Sequence, residues 1–410
     1  MDQKADYLII GAGIIGLAIA RELRSRFEKA VIVVIEKEPD VAYHSSGRNS
    51  GVLHAGFYYS ADSLKAKFTR DGNFQMKEYC RQNHLKLNEC QKVVVTQDES
   101  ELEALYELDR RGKKNGVDVS IITEEELKAI DPNAKTYKYA LFSPNTATVD
   151  PTEVNMAIKN ELRSKGVTFI FNDGYKRRVG ANGVMTKSGL VITSDKIINA
   201  AGLYADKIAR AFGFSKDYTI IPFKGIYLKY TKHDMPIRTN IYPVPNLKNP
   251  FLGVHYTVTV DGHIKIGPTS IPAFWRENYK GMANFKFKEM ANILSWESRL
   301  FLTNAFGFRS LAFEEVRKYN KSFFVNLATK LVHSIDKSGF TEWSKPGIRA
   351  QLMNKHTMEL VQDFIVEGDS STIHVLNAVS PAFTSSFPFA KWVVENYVVN
   401  QNPIPKTHNS

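Results

Sequence analysis

Cysteine is nearly absent: the 410-residue chain has two, Cys80 and Cys90. Their spacing fits neither a paired-thiol redox motif nor a structural zinc site, and no disulfide framework can support the fold, which suits a reducing, cytoplasmic setting. Long apolar runs are missing too. The longest uncharged stretch near the start, Tyr7 to Ala20, has 14 residues, against the about 20 that a membrane-spanning helix needs. Asp2 and Asp6, with three glycines in the apolar segment, argue against a secretory leader, so this segment is expected to belong to the mature fold. No metal is expected: His44 and His54 are separated by a loop, and Asp131 and Asp150 have no paired motif nearby. Nor is there a basic stripe interleaved with aromatics of the kind that holds nucleic acid. With 43% hydrophobic and 24% charged residues, 25 glycines and 16 prolines, the composition excludes wholesale disorder.

What is present is a chain long enough for two or three domains with a formal charge of +11. That excess favours an anionic substrate or an anionic lipid surface, although no single long basic amphipathic helix stands out. Tyr7–Ile10 reads as a buried strand, residues 14–26 as a helix with Ile15, Ala18, Ile19 and Leu23 on its apolar side, and AVIVVIE as a second strand ending at Glu36. A right-handed β-α-β crossover is the simplest topology for that order. Further helices are predicted over 64–83, 99–114, 124–130, 151–162 and 203–213, with VTFIF and LVITSDKIINAAG as strands returning to the first sheet. Composition changes near Pro222. GIYLKY, FLGVHYTV and HIKIG alternate with Pro and Gly turns as an antiparallel sheet would, followed by helices around 285–306 and 314–326 and a last helix over 390–399.

Gly11-Ala12-Gly13-Ile14-Ile15-Gly16 follows the first strand and opens the first helix, with Glu36 closing the second strand 20 residues past Gly16. This is the spacing of a dinucleotide fingerprint: Gly11 for the tight turn, Gly13 for approach of a pyrophosphate, Gly16 for close packing of helix on strand. Unpaired amides at the helix N-terminus face the phosphates, and Glu36 accepts from ribose hydroxyls while repelling a 2′-phosphate. The fingerprint does not separate FAD from NAD. The polar, glycine-rich HSSGRNSGVLHAG after Glu36, with Ser45, Ser46, Ser50 and Gly51, suits a segment lying against a flavin.

The opening residues to Arg24, HSSGRNSGVLHAGFYY, IYPVPNLKNPFLGVHYT, GHIKIGP, GIRAQ, QDFIVE and HVLNAVSPAFTSS together resemble the FAD-dependent L-2-hydroxyglutarate dehydrogenase or oxidase family, within the D-amino-acid oxidase and glycerol-3-phosphate dehydrogenase group. The likeness runs from about residue 5 to 399. It implies a mixed α/β and α+β architecture, with a Rossmann-like FAD-binding domain over 1–80, 145–220 and 340–400, a mixed or antiparallel-sheet substrate domain over 81–144 and 221–339, and a fraying tail at 401–410. It also implies oxidation of L-2-hydroxyglutarate to 2-oxoglutarate with electrons passed to oxygen or a membrane quinone, and a protein that is cytoplasmic or peripheral on the inner face of the cell membrane. A related FAD enzyme acting on glycerol 3-phosphate or a small amino acid, or a non-catalytic flavin-bound membrane adaptor, are the alternatives.

By the same resemblance, Gly11, Gly13, Gly16 and Glu36 match the dinucleotide positions, Ser46, Asn49, Ser50 and Gly51 the flavin-side loop, Ala200, Ala201 and Gly202 a second flavin motif, and Asn377, Ala378, Ser380, Pro381 and Thr384 the closing loop and terminal helix. Arg48 departs from the histidine common there. Hydride loss from carbon requires a base at the adjacent hydroxyl, and the resemblance narrows ten histidines to His54 and His255. His54 is favoured for flavin contact and His255 for the base, with the roles exchangeable and a covalent His54–flavin bond left open. Arg349 suits bidentate capture of a carboxylate. Lys224 is a candidate for the second carboxylate or a flavin oxygen, Tyr59 and Tyr242 for orienting substrate, and Arg309 is held in reserve as an anion binder.

Overall fold

In the first unit, three apolar strands meet edge to edge near the N-terminus. Asp2–Ile10 pairs in parallel with Ile32–Ile35 on one side and Val191–Asn199 on the other. Every residue of Ile32–Ile35 is buried, as expected of a parallel strand covered on both faces. Thr168–Ile170 extends the sheet beyond Ile32–Ile35 in parallel. The far edge of Val191–Asn199 carries Thr372–Asn377 in parallel along its end and Gly183–Thr186 antiparallel along its start. Tyr175–Val179 and Ile365–Gly368 complete eight strands. The helix Ile14–Arg26 buries Ile14, Ile15, Leu17, Ala18, Ile19 and Leu23, each large side chain contributing about 1.5–3 kcal/mol, and packs against the helix Ala382–Val394.

The computed structural model describes residues 2–245 and 253–401. The chain divides into two compact units, one of 1–48, 151–222 and 349–410, the other of 49–150 and 223–348. The first boundary thus falls after Arg48 and not near residue 80. Residues 49–80 go with the second unit because Val52–Leu53 pairs with Ala147–Val149, and Asn73 of the helix Leu64–Gln82 donates to Leu53 O at 2.9 Å.

The second unit is built on an eight-stranded sheet in the order Phe340–Trp343, Leu228–Tyr230, Ile264–Gly267, His255–Val258, Asn240–Pro243, Lys92–Val95, Tyr139–Ser143, Ser120–Thr123. All neighbours are antiparallel except Asn240–Pro243 with Lys92–Val95. Register and the period of two sort the side chains. Val93, Val95, Ile241, Tyr256, Val258, Ile264 and Ile266 point to one face and form a buried apolar cluster. Lys92, Val94, Asn240, Tyr242, His255, Thr257 and Lys265 share the other.

Two helix expectations change. The stretch predicted as one helix over 314–326 is two, Phe308–Arg317 and Lys321–Thr329, because Asn320 breaks the run and caps the second by accepting from Phe323 N at 3.0 Å. The last helix starts at Ala382, eight residues earlier than its apolar pattern suggested, with Pro388 tolerated inside it. Residues 246–252 of PVPNLKNPFLGVHYT and 402–410 of the expected tail lie outside the described residues. Among the described residues no helix is long and apolar enough to cross a membrane.

Candidate active site

The glycine turn leaves no room for a side chain at Gly11 or Gly16. Gly11 has φ +107°, and a Cβ on it would sit 2.7 Å from Ala200 O; one on Gly16 would sit 2.0 Å from Gly11 O. A Cβ at Gly13 would meet Ser46 Oγ at 3.1 Å, and that Oγ accepts from Ile14 N at 2.8 Å. Gly13 offers the helix no side-chain cap, and the first turn carries no acidic residue, a donor set suited to phosphate. Glu36 is tied to the same turn: Oε2 accepts from Ala12 N at 2.8 Å and Oε1 from Glu38 N at 3.1 Å. These residues fit the pyrophosphate and ribose of FAD. Ala200 N bonds Ile10 O at 3.0 Å and Ala201 N bonds Asn199 Oδ1 at 3.2 Å, with Gly202 at φ +51°, so the second motif abuts the first.

The remaining cofactor candidates are spread more widely. Ser46 lies in the first unit; Asn49, Ser50 and Gly51 lie in the second. There Asn49 Oδ1 accepts from Gly51 N at 2.9 Å, and Ser50 O accepts from Lys265 Nζ at 3.0 Å. Fully buried Asn377 braces the chain: its Nδ2 donates to Asp363 O at 2.6 Å and its Oδ1 accepts from Leu352 N at 3.3 Å. Ala378, Ser380 and Pro381 follow it in the loop leading to the helix Ala382–Val394, whose Thr384 is buried.

In the second unit, four residues gather on and above one sheet face. His54 and His255 are 7% and 3% exposed, Tyr242 1% and Lys92 0%. The rings of Tyr242 and His255 stack with centroids 3.6 Å apart and planes 16° from parallel. Lys92 Nζ lies 4.0 Å from the centroid of the Tyr242 ring and 3.5 Å from His54 Nδ1. His255 Nδ1 is 2.8 Å from Gly253 O. A carbonyl can only accept, so Nδ1 carries a hydrogen, and in the neutral imidazole the lone pair is then on Nε2. Burial, the Lys92 ammonium and His255 hold His54 well below the ordinary histidine range, so it is neutral. Burial also brings Lys92 down to about 7 and lifts the Tyr242 phenol well above its usual value, with Tyr227 and Tyr58 adding to the rise.

The structure therefore brings together His54, His255 and Tyr242 of the expected residues. Tyr242 contributes a ring platform, and Tyr59 packs against the same cluster, facing Lys65 Nζ at 5.8 Å from its ring. Lys224 is buried on the strand Tyr218–Gly225, where its ammonium bonds Asn278 Oδ1 at 3.3 Å and burial lowers its pKa. Arg349 is half-buried on the strand Gly347–Asn354 and belongs to the first unit. Arg309 is exposed and donates to Phe301 O and Leu302 O, both at 2.7 Å, where it closes the C-terminus of the helix Phe287–Thr303. Two residues went unnoticed in the sequence: Lys92, and Lys265, which burial lowers to about 8 and which sits 4.8 Å from the Tyr227 ring.

Comparison with known proteins places the chain among its relatives. An L-2-hydroxyglutarate dehydrogenase from Escherichia coli is 34% identical over 95% of this chain and 92% of its own. The human mitochondrial L-2-hydroxyglutarate dehydrogenase is 32% identical over 95% of this chain and 88% of its own. In fold, the chain is similar to an FAD-bound L-alpha-glycerophosphate oxidase from Mycoplasma pneumoniae (TM-score 0.77, 19% identity, 99% of this chain and 97% of that one). It is also similar to glycine oxidase from Geobacillus kaustophilus (TM-score 0.70, 16% identity, 99% and 100%). Residues 6–396 match the FAD dependent oxidoreductase family, DAO, and with the glycine turn, the tied Glu36 and the buried histidines in place, the chain belongs to that family of FAD-dependent enzymes.

Proposed function

We propose that the protein oxidises L-2-hydroxyglutarate to 2-oxoglutarate. The observation that carries this reading is the buried pair of His54 and His255, in a chain 34% and 32% identical to enzymes of that name. Bound FAD supplies an acceptor for two electrons and the hydrogen on the hydroxyl-bearing carbon. The protein must do the rest: take the hydroxyl proton, hold the negative ends and exclude water. His255 is set for the first task, since its Nε2 lone pair is fixed by the bond from Nδ1–H to Gly253 O and its ring by the Tyr242 stack. As the C–H electrons leave, the O–H electrons form the carbonyl and the proton passes to His255 Nε2. Lys224 is a candidate cation for one carboxylate, and the planar fork of Arg349 is of the kind that captures a carboxylate with two bonds.

Anaerobic addition of L-2-hydroxyglutarate to the flavin-loaded protein should bleach its visible absorbance. Unchanged absorbance would reject the proposal, and bleaching by glycerol 3-phosphate, glycine or sarcosine alone would favour the alternative substrates.

We further propose a membrane quinone as the electron acceptor, reached from an anionic lipid surface. Residues 280–317 expose Met282 (65%), Phe287 (68%), Leu302 (73%) and Phe313 (63%). Phe301 and Phe313 pack edge to face at 6.0 Å, with Arg309 5.6 Å over the Phe301 ring. In this segment Lys280, Lys286, Lys288, Arg299, Arg309 and Arg317 are exposed against one exposed carboxylate, Glu314. Exposed apolar side chains and cations in one segment suit the boundary of anionic headgroups. Sedimentation with phosphatidylglycerol vesicles should fall on Leu302→Ser with Phe313→Ser while flavin reduction is kept. Equal sedimentation, or peroxide formation without quinone reduction, would count against it.

A further inference from the structure

Lys92 opens the strand Lys92–Val95 with no exposed surface. An ammonium so buried ordinarily needs an opposite charge. Its surroundings are instead aromatic and imidazole: the rings of Tyr242, Tyr58 and Phe57 at 4.0, 5.3 and 5.8 Å, and His54 Nδ1 at 3.5 Å. Ring faces stabilise a cation through their quadrupoles, and the imidazole contact has a direction. An ammonium has hydrogens and no acceptor, so the nitrogen facing it presents a lone pair. A neutral imidazole with its lone pair on Nδ1 carries its hydrogen on Nε2.

We propose that Lys92 is a positioning residue: it fixes His54 as the Nε2–H tautomer, making His54 a hydrogen-bond donor to an oxygen of the hydroxy acid and leaving proton acceptance to His255. The two imidazoles then present opposite faces of the same chemistry. His255, with Nδ1–H on Gly253 O, offers a lone pair, and His54 offers a hydrogen. The strands of Lys92 and His255 share the sheet face that carries Tyr242, which touches Lys92 on one side and stacks on His255. The titratable groups around this pair are Tyr58 from the segment after His54, Cys90 ahead of Lys92, Tyr242 from the adjoining strand and His255 from the strand beyond it; Tyr59 lies next to Tyr58, with Lys65 of the helix Leu64–Gln82 over its ring. Burial pushes the Tyr58, Tyr59 and Tyr242 phenols and the Cys90 thiol up.

Only the kinetic test rests on the hydroxy-acid reading. In holoenzyme labelled with 15N-histidine at mildly acidic pH, the His54 signals, identified by their loss in His54→Gln, should show Nε2 protonated and Nδ1 bare; the reverse tautomer overturns the proposal. In Lys92→Met holoenzyme, removal of the cation should raise the His54 pKa and move the acid limb of the flavin-reduction profile to higher pH. The reduction rate should drop by roughly tenfold or more with a smaller change in KM, less than the about 10²–10⁴-fold that a positioned acid–base group itself supplies. On a His54→Gln background the same substitution should add almost nothing; an undiminished further loss overturns the proposal. If Lys92→Met does not hold FAD, the wild-type tautomer decides alone. Wild-type holoenzyme that L-2-hydroxyglutarate does not reduce would defeat the proposed function and leave the tautomer result standing.

Discussion

Replacing Lys92 by methionine keeps the length and apolar stem of the side chain and removes its charge. Burial moves this lysine from 10.5 to about 7, so the folded protein binds the proton less tightly than the unfolded chain does. The penalty is complete below the folded value, fades as pH rises, and is gone above the unfolded one. At about 1.4 kcal/mol per pH unit, it is about 5 kcal/mol at pH 6 and about 1 kcal/mol at pH 10. Methionine escapes it at every pH, so the variant's stability relative to wild type should be about 4 kcal/mol better at the lower pH than at the higher. For a unit of this size that corresponds to a change on the order of 10 °C in the Tm difference between the two proteins. Scanning calorimetry of both holoenzymes at the two pH values measures that difference directly. Attraction to the Tyr242, Tyr58 and Phe57 rings acts on the same charged form and shrinks the pH dependence without changing its sign. A Tm difference that is equal at both pH values would refute the reasoning, because it would mean that the buried ammonium is fully compensated.

At the cofactor turn, Gly16→Ala places a methyl 2.0 Å from Gly11 O, so turn and helix must move apart by about 1 Å, and overpacking of this kind costs about 1–3 kcal/mol. FAD titration should show affinity lower by roughly 5- to 150-fold, and flavin retained at wild-type occupancy and affinity would count against the close-packed turn. His255→Gln should keep FAD and slow anaerobic flavin reduction by about 10²–10⁴-fold; an unchanged rate removes His255 as the base. Arg349→Lys should raise the substrate concentration needed for half-maximal reduction and leave FAD occupancy alone, since lysine lacks the bidentate fork; equal substrate affinity in titration would remove Arg349 from the carboxylate site.

Local chemistry made the first unit's core legible. The helix Ile14–Arg26 has the bounds that its periodicity and the glycine turn predict, because the apolar period begins directly after the turn and stops where the helix ends. Glu124–Ile130 is likewise as expected, since Thr123 and Glu126 form a reciprocal capping box written into four consecutive residues. The elements misjudged are those whose limits depend on partners far along the chain. Ala382–Val394 begins early because its first turns, SS and FPF included, are buried, and burial satisfies a helix that polar composition and Pro388 argue against. Residues 49–80 move to the second unit for the same reason, through pairing of Val52 with Thr148.

The site divides along the same line. Glu36 and the glycines occupy one contiguous β-α-β segment, so spacing alone reveals them. His54 and His255 became visible only as parts of longer matching stretches, because neither has a sequence motif of its own; in space the Tyr242 ring stacks on His255 and Lys92 Nζ lies 3.5 Å from His54 Nδ1. Lys92 gave no signal at all. A lysine ahead of Val93, Val94 and Val95 looks like a solvated strand end, and only the parallel register that sets Lys92 opposite Asn240 and Val94 opposite Tyr242 shows that it points into the same face as His255. Alternation along a strand determines which residues share a face, but long-range pairing decides what that face meets. A charge is therefore placed beside the buried imidazoles by a strand pairing that spans almost 150 residues of sequence, and shifting that pairing by one position would turn Lys92 into the apolar cluster on the opposite side.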